Sequence, residues 1–186
     1  STLEFVSGLN IEEASYNSRI IDFYLLKNSD TVLYSVNRDK ESDDIKGADV
    51  FTPNSGIHEN VAVFDISGMY PNLIITFNIS PEKITNEKNK NNIKIGKTEF
   101  STDIDGLLPS MVKEFINLRK KYKKLKEEHE NHKDYEIYKL REFAVKKILS
   151  SMYGVFGYKV FRLFDSRIAN AITESGRELL NFMKEY

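Results

Sequence analysis

The sequence predicts an α+β chain made mostly of helix, and three observations carry that reading. Apolar residues recur every three or four positions through several long stretches, which is helical spacing. One short run, Val61–Ala62–Val63–Phe64, is β-branched at alternate positions and reads as a buried strand. Two of the helical stretches are separated by a wholly polar tip, the pattern of an antiparallel helix pair. Size agrees: 186 residues make one large domain or two small ones, and 12 Phe with 10 Tyr are bulky core material.

In chain order, apolar residues at Ala14, Ile20, Ile21, Phe23, Tyr24 and Leu25 fit a helix from Ile11 to Leu26 with one buried face. Residues 37–48 are polar and read as a loop. His58 stands at the entry to the strand at 61–64, and Asp65 at that strand's C-terminal end. Residues 82–105, rich in Lys, Asn and Thr, are expected to be an exposed excursion with little core. A long helix follows from about Leu107 to His129, marked by Leu107/Leu108, Met111/Val112, Phe115/Ile116, Tyr122 and Leu125. Residues 127–134 form the polar tip. The second helix resumes with Ile137/Tyr138 and continues through Ala144/Val145, Ile148/Leu149 and Met152/Tyr153, with Gly154 and Gly157 ending it. A last amphipathic helix is expected from about Arg167 to Tyr186. There is no internal repeat.

Composition narrows the function. With no cysteine, a disulfide framework, a thiolate zinc site and a Cys nucleophile are excluded. No apolar run approaches the roughly 20 residues of a membrane span. No signal-peptide pattern opens the chain, and its start at Ser rather than Met reads as an excised piece, expected to be soluble and cytoplasmic. The whole chain balances 27 Lys+Arg against 28 Asp+Glu, but residues 106–150 hold 12 basic and 7 acidic side chains, against 5 and 11 in residues 1–60. The middle therefore makes a positive field suited to phosphates, or else is a solvated helix of mixed charge.

Within it, Arg119 and Lys123 lie four residues apart on one helix face, and Lys146 on the returning helix is placed to face the same side. Three converging cations would clamp a polyphosphate through charge-assisted hydrogen bonds. Lys120, Lys121, Lys124 and Lys126 make the helix basic nearly all round, so a plain basic hairpin is the competing reading. Asp65 suits a hard divalent cation in oxygen coordination, or alternatively caps the turn at Ser67 and Gly68. His129 and His132 belong to a solvated tip rather than a zinc site, since neither Cys nor an HExxH pattern accompanies them.

Read together, the motifs are more specific. Residues 65–74, AspIleSerGlyMetTyrProAsnLeuIle, resemble the Asp-x-x-Ser-Leu-Tyr-Pro-Ser palm segment of family B DNA polymerases. Residues 146–157, LysLysIleLeuSerSerMetTyrGlyValPheGly, resemble the Lys-x-x-x-Asn-Ser-x-Tyr-Gly fingers segment. GlyLeuLeuProSer at 106–110 with LeuArgLysLys at 118–121 is similar to the start of the first fingers helix, and AlaIleThrGluSerGlyArgGlu at 171–178 to the palm helix that follows. The matches run in order from about Ala48 to Glu185, and within the family they point to archaeal replicative enzymes.

The resemblance implies a partial palm sheet with an antiparallel two-helix fingers hairpin. Its divisions are 1–46 (the segment between exonuclease and palm), 47–105 (first part of the palm), 106–157 (fingers) and 158–186 (returning palm helix). It implies DNA-directed DNA polymerase activity in the parent enzyme, a nucleotidyltransferase that extends a primer 3′-end in replication or repair. Asp65 would be the first metal-binding aspartate and the Ile66 carbonyl a main-chain ligand in a site for two magnesium ions about 3.5–4 Å apart. Amides of Gly68, Met69 and Tyr70 would cradle triphosphate oxygens, and the Tyr70 ring would leave no room for a 2′-hydroxyl. Arg119, Lys123 and Lys146 would grip the triphosphate, Ser150 would stand near the nucleotide, and Tyr153 and Gly154 would pack on the nascent base pair. Implied partners are primer–template DNA, deoxynucleoside triphosphates and the remaining polymerase domains, with a processivity factor as a further candidate and no membrane.

Gly68 replaces the family's Ser, and Ser150 its Asn. The Tyr-Gly-Asp-Thr-Asp segment that carries the second metal-binding aspartate does not occur in these 186 residues, nor do exonuclease motifs or a thumb. The expected function is therefore that of a polymerase fragment inactive by itself, with uncovered apolar surface prone to self-association. The alternative is a non-catalytic homologue serving as a DNA-binding or protein-interaction module.

Overall fold

The computed structural model describes residues 16–29, 44–52 and 54–185. Their elements in order are α1 (Asn17–Lys27), α2 (Met69–Thr76), β1 (Ile93–Ile95), β2 (Thr98–Phe100), α3 (Leu107–Glu128), α4 (Tyr135–Phe156) and α5 (Ser166–Glu185). A single 3₁₀ turn, Pro81–Lys83, follows α2. Among the described residues no helix is long and apolar enough to cross a membrane.

The antiparallel pair α3–α4 is the backbone of the molecule. On α3, Leu108, Met111, Val112, Phe115 and Tyr122 are buried at helical spacing, leaving the lysines on the other faces. Ala144, Val145, Ile148, Leu149, Met152, Val155 and Phe156 form the matching face of α4. Side chains of α1 (Ile20, Ile21 and Leu25), Ile74 of α2, and Ile168 and Ile172 of α5 join the same core. The start of α3 is anchored by groups from the turn after α2. The amide of Leu107 donates to Glu82 Oε1 at 2.6 Å, that of Leu108 to Ser80 Oγ at 3.1 Å, and that of Gly106 to Asn78 Oδ1 at 2.7 Å. These satisfy donors that a helix cannot satisfy internally, and the Glu82 carboxylate complements the helix dipole. The position of α2 is thereby tied to that of α3.

Several sequence expectations change. The first helix is observed from Asn17, while residues 11–15 lie outside the described residues, as do 37–43 of the expected loop; residues 44–48 are irregular. The run Val61–Phe64 is not a buried strand. It is irregular and pairs with no strand among the described residues, and Val63 and Phe64 are 88% and 81% exposed. Alternating apolar residues record a tendency to be buried, but a strand also needs a neighbour to take its backbone hydrogen bonds. His58 accordingly enters no strand; its Nε2 lies 2.9 Å from the Asn54 carbonyl oxygen.

The sheet is elsewhere, inside the stretch expected to lack a core. β1 and β2 form an antiparallel hairpin that pairs Ile93 with Phe100 and Ile95 with Thr98, turning at Gly96 with φ 54°. Ile95, Thr98 and Phe100 are buried. Burying one Phe contributes about 1.5–3 kcal/mol, and Ile95 and Phe100 tie this polar stretch to the core that the helices share. Gly154 does not end α4: packing of Met152, Val155 and Phe156 carries the helix past it to Gly157, against a cost of about 1 kcal/mol for an interior glycine.

Candidate functional site

A groove of about 760 Å³ opens where the turn before α2 meets the exposed faces of α3 and α4. Asp65, Gly68, Met69 and Tyr70 line it from the first side, and Arg119, Lys123, Lys146 and Ser150 from the helix pair. Segments 80 residues apart in sequence thus share one cavity. Ile66, Tyr153 and Gly154 are not in its lining; Tyr153 reaches it through a ring contact with Tyr70, with centroids 5.4 Å apart. Gly154 has open space around its Cα.

The turn is held by a side chain the sequence reading missed. Asn72 Nδ2 donates to the carbonyl oxygens of Ser67 (3.2 Å) and Gly68 (3.0 Å), closing the loop onto the first turn of α2. Asn72 stands where the family's palm segment ends in Ser, which is the signal that could have marked it. Gly68 adopts φ 65°, a left-handed conformation that glycine takes without the penalty a Cβ brings. The replacement of Ser by Gly therefore suits this backbone. Asp65 does not cap the turn: it is exposed and has no hydrogen-bond or ion-pair partner among the described residues. The amides of Met69 and Tyr70, at the start of α2, have no intrahelical acceptor and sit at its positive end, an arrangement that favours anions.

Tyr70 is half-buried, and its hydroxyl pKa is raised, first by burial and then by Tyr153, with Arg177 opposing. It remains a neutral phenol at ordinary pH. On the helix pair, Glu142 reaches Lys126 Nζ with Oε2 at 2.6 Å and Arg119 Nη2 with Oε1 at 3.4 Å. The Lys126 hydrogen bond, aided by Arg119, holds the Glu142 carboxyl below its ordinary range although partial burial works against it. Arg119 Nε is buried without an acceptor, so this guanidinium is not saturated by its neighbours. Lys123 has only Glu127 at 4.0 Å, and Lys146 has no partner among the described residues. Ser150 directs its hydroxyl back to the Lys147 carbonyl oxygen at 3.0 Å, so it offers the groove less than its position suggests. Lys120 also lines the groove and was passed over in favour of its neighbour; its spacing from Ile116 and Lys123, which line it too, is the helical signal.

An unpaired carboxylate faces a cavity whose other side carries four cations, a combination suited to a polyphosphate together with a hard cation. Magnesium is commonly held by one or two carboxylates plus substrate phosphates and water, so Asp65 fits one such ion. Among the described residues no group of three or more His, Asp or Glu could hold a metal without such help.

Comparison with known proteins agrees with the sequence motifs. The family profile described as DNA polymerase family B matches residues 14–186. The DNA polymerase of Pyrococcus glycovorans is 28% identical over 141 residues, which is 75% of this chain and 18% of that protein. The DNA polymerase alpha catalytic subunit of Saccharomyces cerevisiae is 34% identical over 137 residues, 73% of this chain and 9% of that protein. The likeness therefore extends beyond the archaeal enzymes. The solved structure of the family B DNA polymerase from the hyperthermophilic archaeon Pyrobaculum calidifontis superposes with a TM-score of 0.78 at 25% identity, covering 100% of this chain and 26% of that one. The chain thus spans about a fifth or less of the curated relatives' length, and on the profile match over nearly all its residues it belongs to DNA polymerase family B.

Proposed function

We propose that this chain is the palm-and-fingers part of a DNA-directed DNA polymerase and that its groove binds the incoming deoxynucleoside triphosphate. The carrying observation is the meeting of unpaired Asp65, the start of α2 and the Arg119–Lys123–Lys146 cations in one cavity. In this reading α3 and α4 are the fingers, while α2, the β-hairpin and α5 belong to the palm. Arg119 and Lys146 hold triphosphate oxygens by charge-assisted hydrogen bonds, with Lys123 and Lys120 adding charge. The Met69 and Tyr70 amides orient phosphate at the helix start, and Tyr70 limits the room beside the sugar. Tyr153 and Gly154 offer a flat ring and an open face to the base pair.

Asp65, with the Ile66 carbonyl, would hold one magnesium ion against the phosphates. When bound, magnesium supplies charge neutralisation and activation of the primer hydroxyl for in-line phosphoryl transfer. A second carboxylate is needed for the two-ion site, and this sequence has no Asp-Thr-Asp segment to supply it. The exposed Val61–Phe64 run suits burial against the remaining polymerase domains.

Equilibrium binding of dATP with magnesium tests the site: binding that weakens with salt and is displaced by inorganic tripolyphosphate is expected, and no binding overturns the reading. In primer extension the chain alone is expected to synthesise nothing; robust magnesium-dependent synthesis contradicts the incomplete metal site. The exposed lysines of α3 that lie off the groove, Lys121 and Lys124, favour a second reading, in which a non-catalytic homologue binds the DNA backbone. An Asp-Thr-Asp segment in the parent gene or on a partner chain decides for the enzyme.

A further inference from the structure

Helix α5 meets two residues that line the groove, Met69 and Tyr70, at Gly176, a buried residue with ordinary helical backbone. An interior glycine costs a helix about 1 kcal/mol relative to alanine, and here a close approach explains it. A Cβ at position 176 would lie 3.1 Å from Cε1 of Tyr70, 3.4 Å from Cε of Met69 and 3.8 Å from Cδ1 of Leu73. The helix is not free to back away. Asn170 Oδ1 accepts from the Lys46 amide at 3.0 Å and Thr173 Oγ1 donates to the Lys46 carbonyl at 2.8 Å. Arg177 Nη1 donates to the carbonyl oxygens of Lys46 (3.1 Å) and Gly47 (2.7 Å). These four bonds hold α5 to Lys46 and Gly47. The part left to yield is the half-exposed Tyr70 ring, and the open space beside it is the groove.

We propose that Gly176 is a positioning residue for sugar discrimination: its missing side chain sets how far the Tyr70 ring reaches into the groove. It thereby sets the room left at the 2′ carbon of a bound nucleoside triphosphate. The inference rests on the reading of the groove as a nucleotide site with Tyr70 beside the sugar. An alanine at 176 displaces the ring by a few tenths of an ångström toward the groove, which crowds a 2′-hydroxyl more than a 2′-hydrogen.

The test measures binding of dATP, ATP and inorganic tripolyphosphate, each with magnesium. It compares the full chain with Gly176→Ala, Tyr70→Val and the double variant, alongside thermal melts. Gly176→Ala is expected to raise the ratio of the ATP to the dATP dissociation constant by about threefold or more. Tripolyphosphate affinity, which does not sense the sugar, is expected to stay within about twofold. In the Tyr70→Val background the same substitution is expected to do nothing, because no ring is left to push. If Gly176→Ala does not fold, Asn170→Ala probes the same geometry through the contact with Lys46: loosening α5 is expected to lower the ratio, and an unchanged ratio overturns the inference. A ratio that Tyr70→Val abolishes but a folded Gly176→Ala leaves unchanged overturns it while sparing the nucleotide site. Absence of dATP binding, or binding indifferent to Arg119→Ala, overturns both.

Discussion

The cations on one side of the groove stand on a buried core, whereas Asp65 on the other side hangs from an irregular, exposed segment. Tyr122, Val145, Ile148 and Leu149 are buried between α3 and α4, and Glu142 ties Arg119 to Lys126 across the pair. The four residues before Asp65 are exposed and pair with no described strand. Only the turn after it is firm, braced by Asn72. The contrast teaches that the cationic wall stands on this chain's own core, while Asp65 follows a segment that packs against nothing among the described residues.

The comparison breaks most readily on stability. Phe156 is fully buried, and Phe156→Ala is expected to cost about 3–5 kcal/mol in urea unfolding. Phe64→Ala, at a residue 81% exposed, is expected to stay within about 0.5 kcal/mol. A large loss from Phe64→Ala would show that the Asp65 segment is packed in solution after all.

Binding sharpens the same contrast. Arg119→Ala and Lys146→Ala are each expected to weaken dATP binding by about 1.5–3 kcal/mol, read by equilibrium dialysis, the value of a hydrogen bond to a charged group. Lys124→Ala, on α3 but outside the groove, is the control and is expected to change little. Equal losses at all three would favour the plain basic hairpin. Lys120 would be a poor control, since it lines the groove itself.

A smaller effect is expected in the turn. With φ 65° at Gly68, Gly68→Ala is expected to cost about 1–2 kcal/mol in a thermal melt, the penalty of a Cβ in the left-handed region. A neutral result would mean that the turn readjusts despite Asn72.

The smallest effect concerns pH. Glu142 is held below its ordinary range by Lys126 and then Arg119, so it stabilises the fold when ionised. That contribution is complete above the ordinary glutamate range and is lost as pH falls from there through the lower folded value. Glu142→Gln is expected to flatten that acid limb of the stability curve by up to about 1 kcal/mol, measured by urea unfolding across the window.

The three long helices were legible to within a residue or two, since their packing follows the local period: α3, expected from Leu107 to His129, runs to Glu128, whereas the short α2 was not expected at all. The β-hairpin was not legible. Its strands are three residues each, and Lys94, Lys97 and Glu99 mask the alternation of Ile93, Ile95, Thr98 and Phe100. Val61–Phe64 misled in the opposite direction, since its apolar residues are real but the burial they signal is absent. Motif order singled out Asp65, Tyr70, Arg119 and Lys146, which line one groove, but not Asn72, whose hydrogen bonds depend on how the turn folds back.

By itself the sequence determined the helix pair, its basic character and the motif residues, because these depend on side chains and on neighbours a few positions away. Tertiary structure alone decided that Asp65 and Lys146 share a cavity, that Asn78, Ser80 and Glu82 seat α3, and that Gly176 meets the Tyr70 ring. Such contacts join residues tens to about a hundred positions apart, and close packing, which no local periodicity records, determines which of them form.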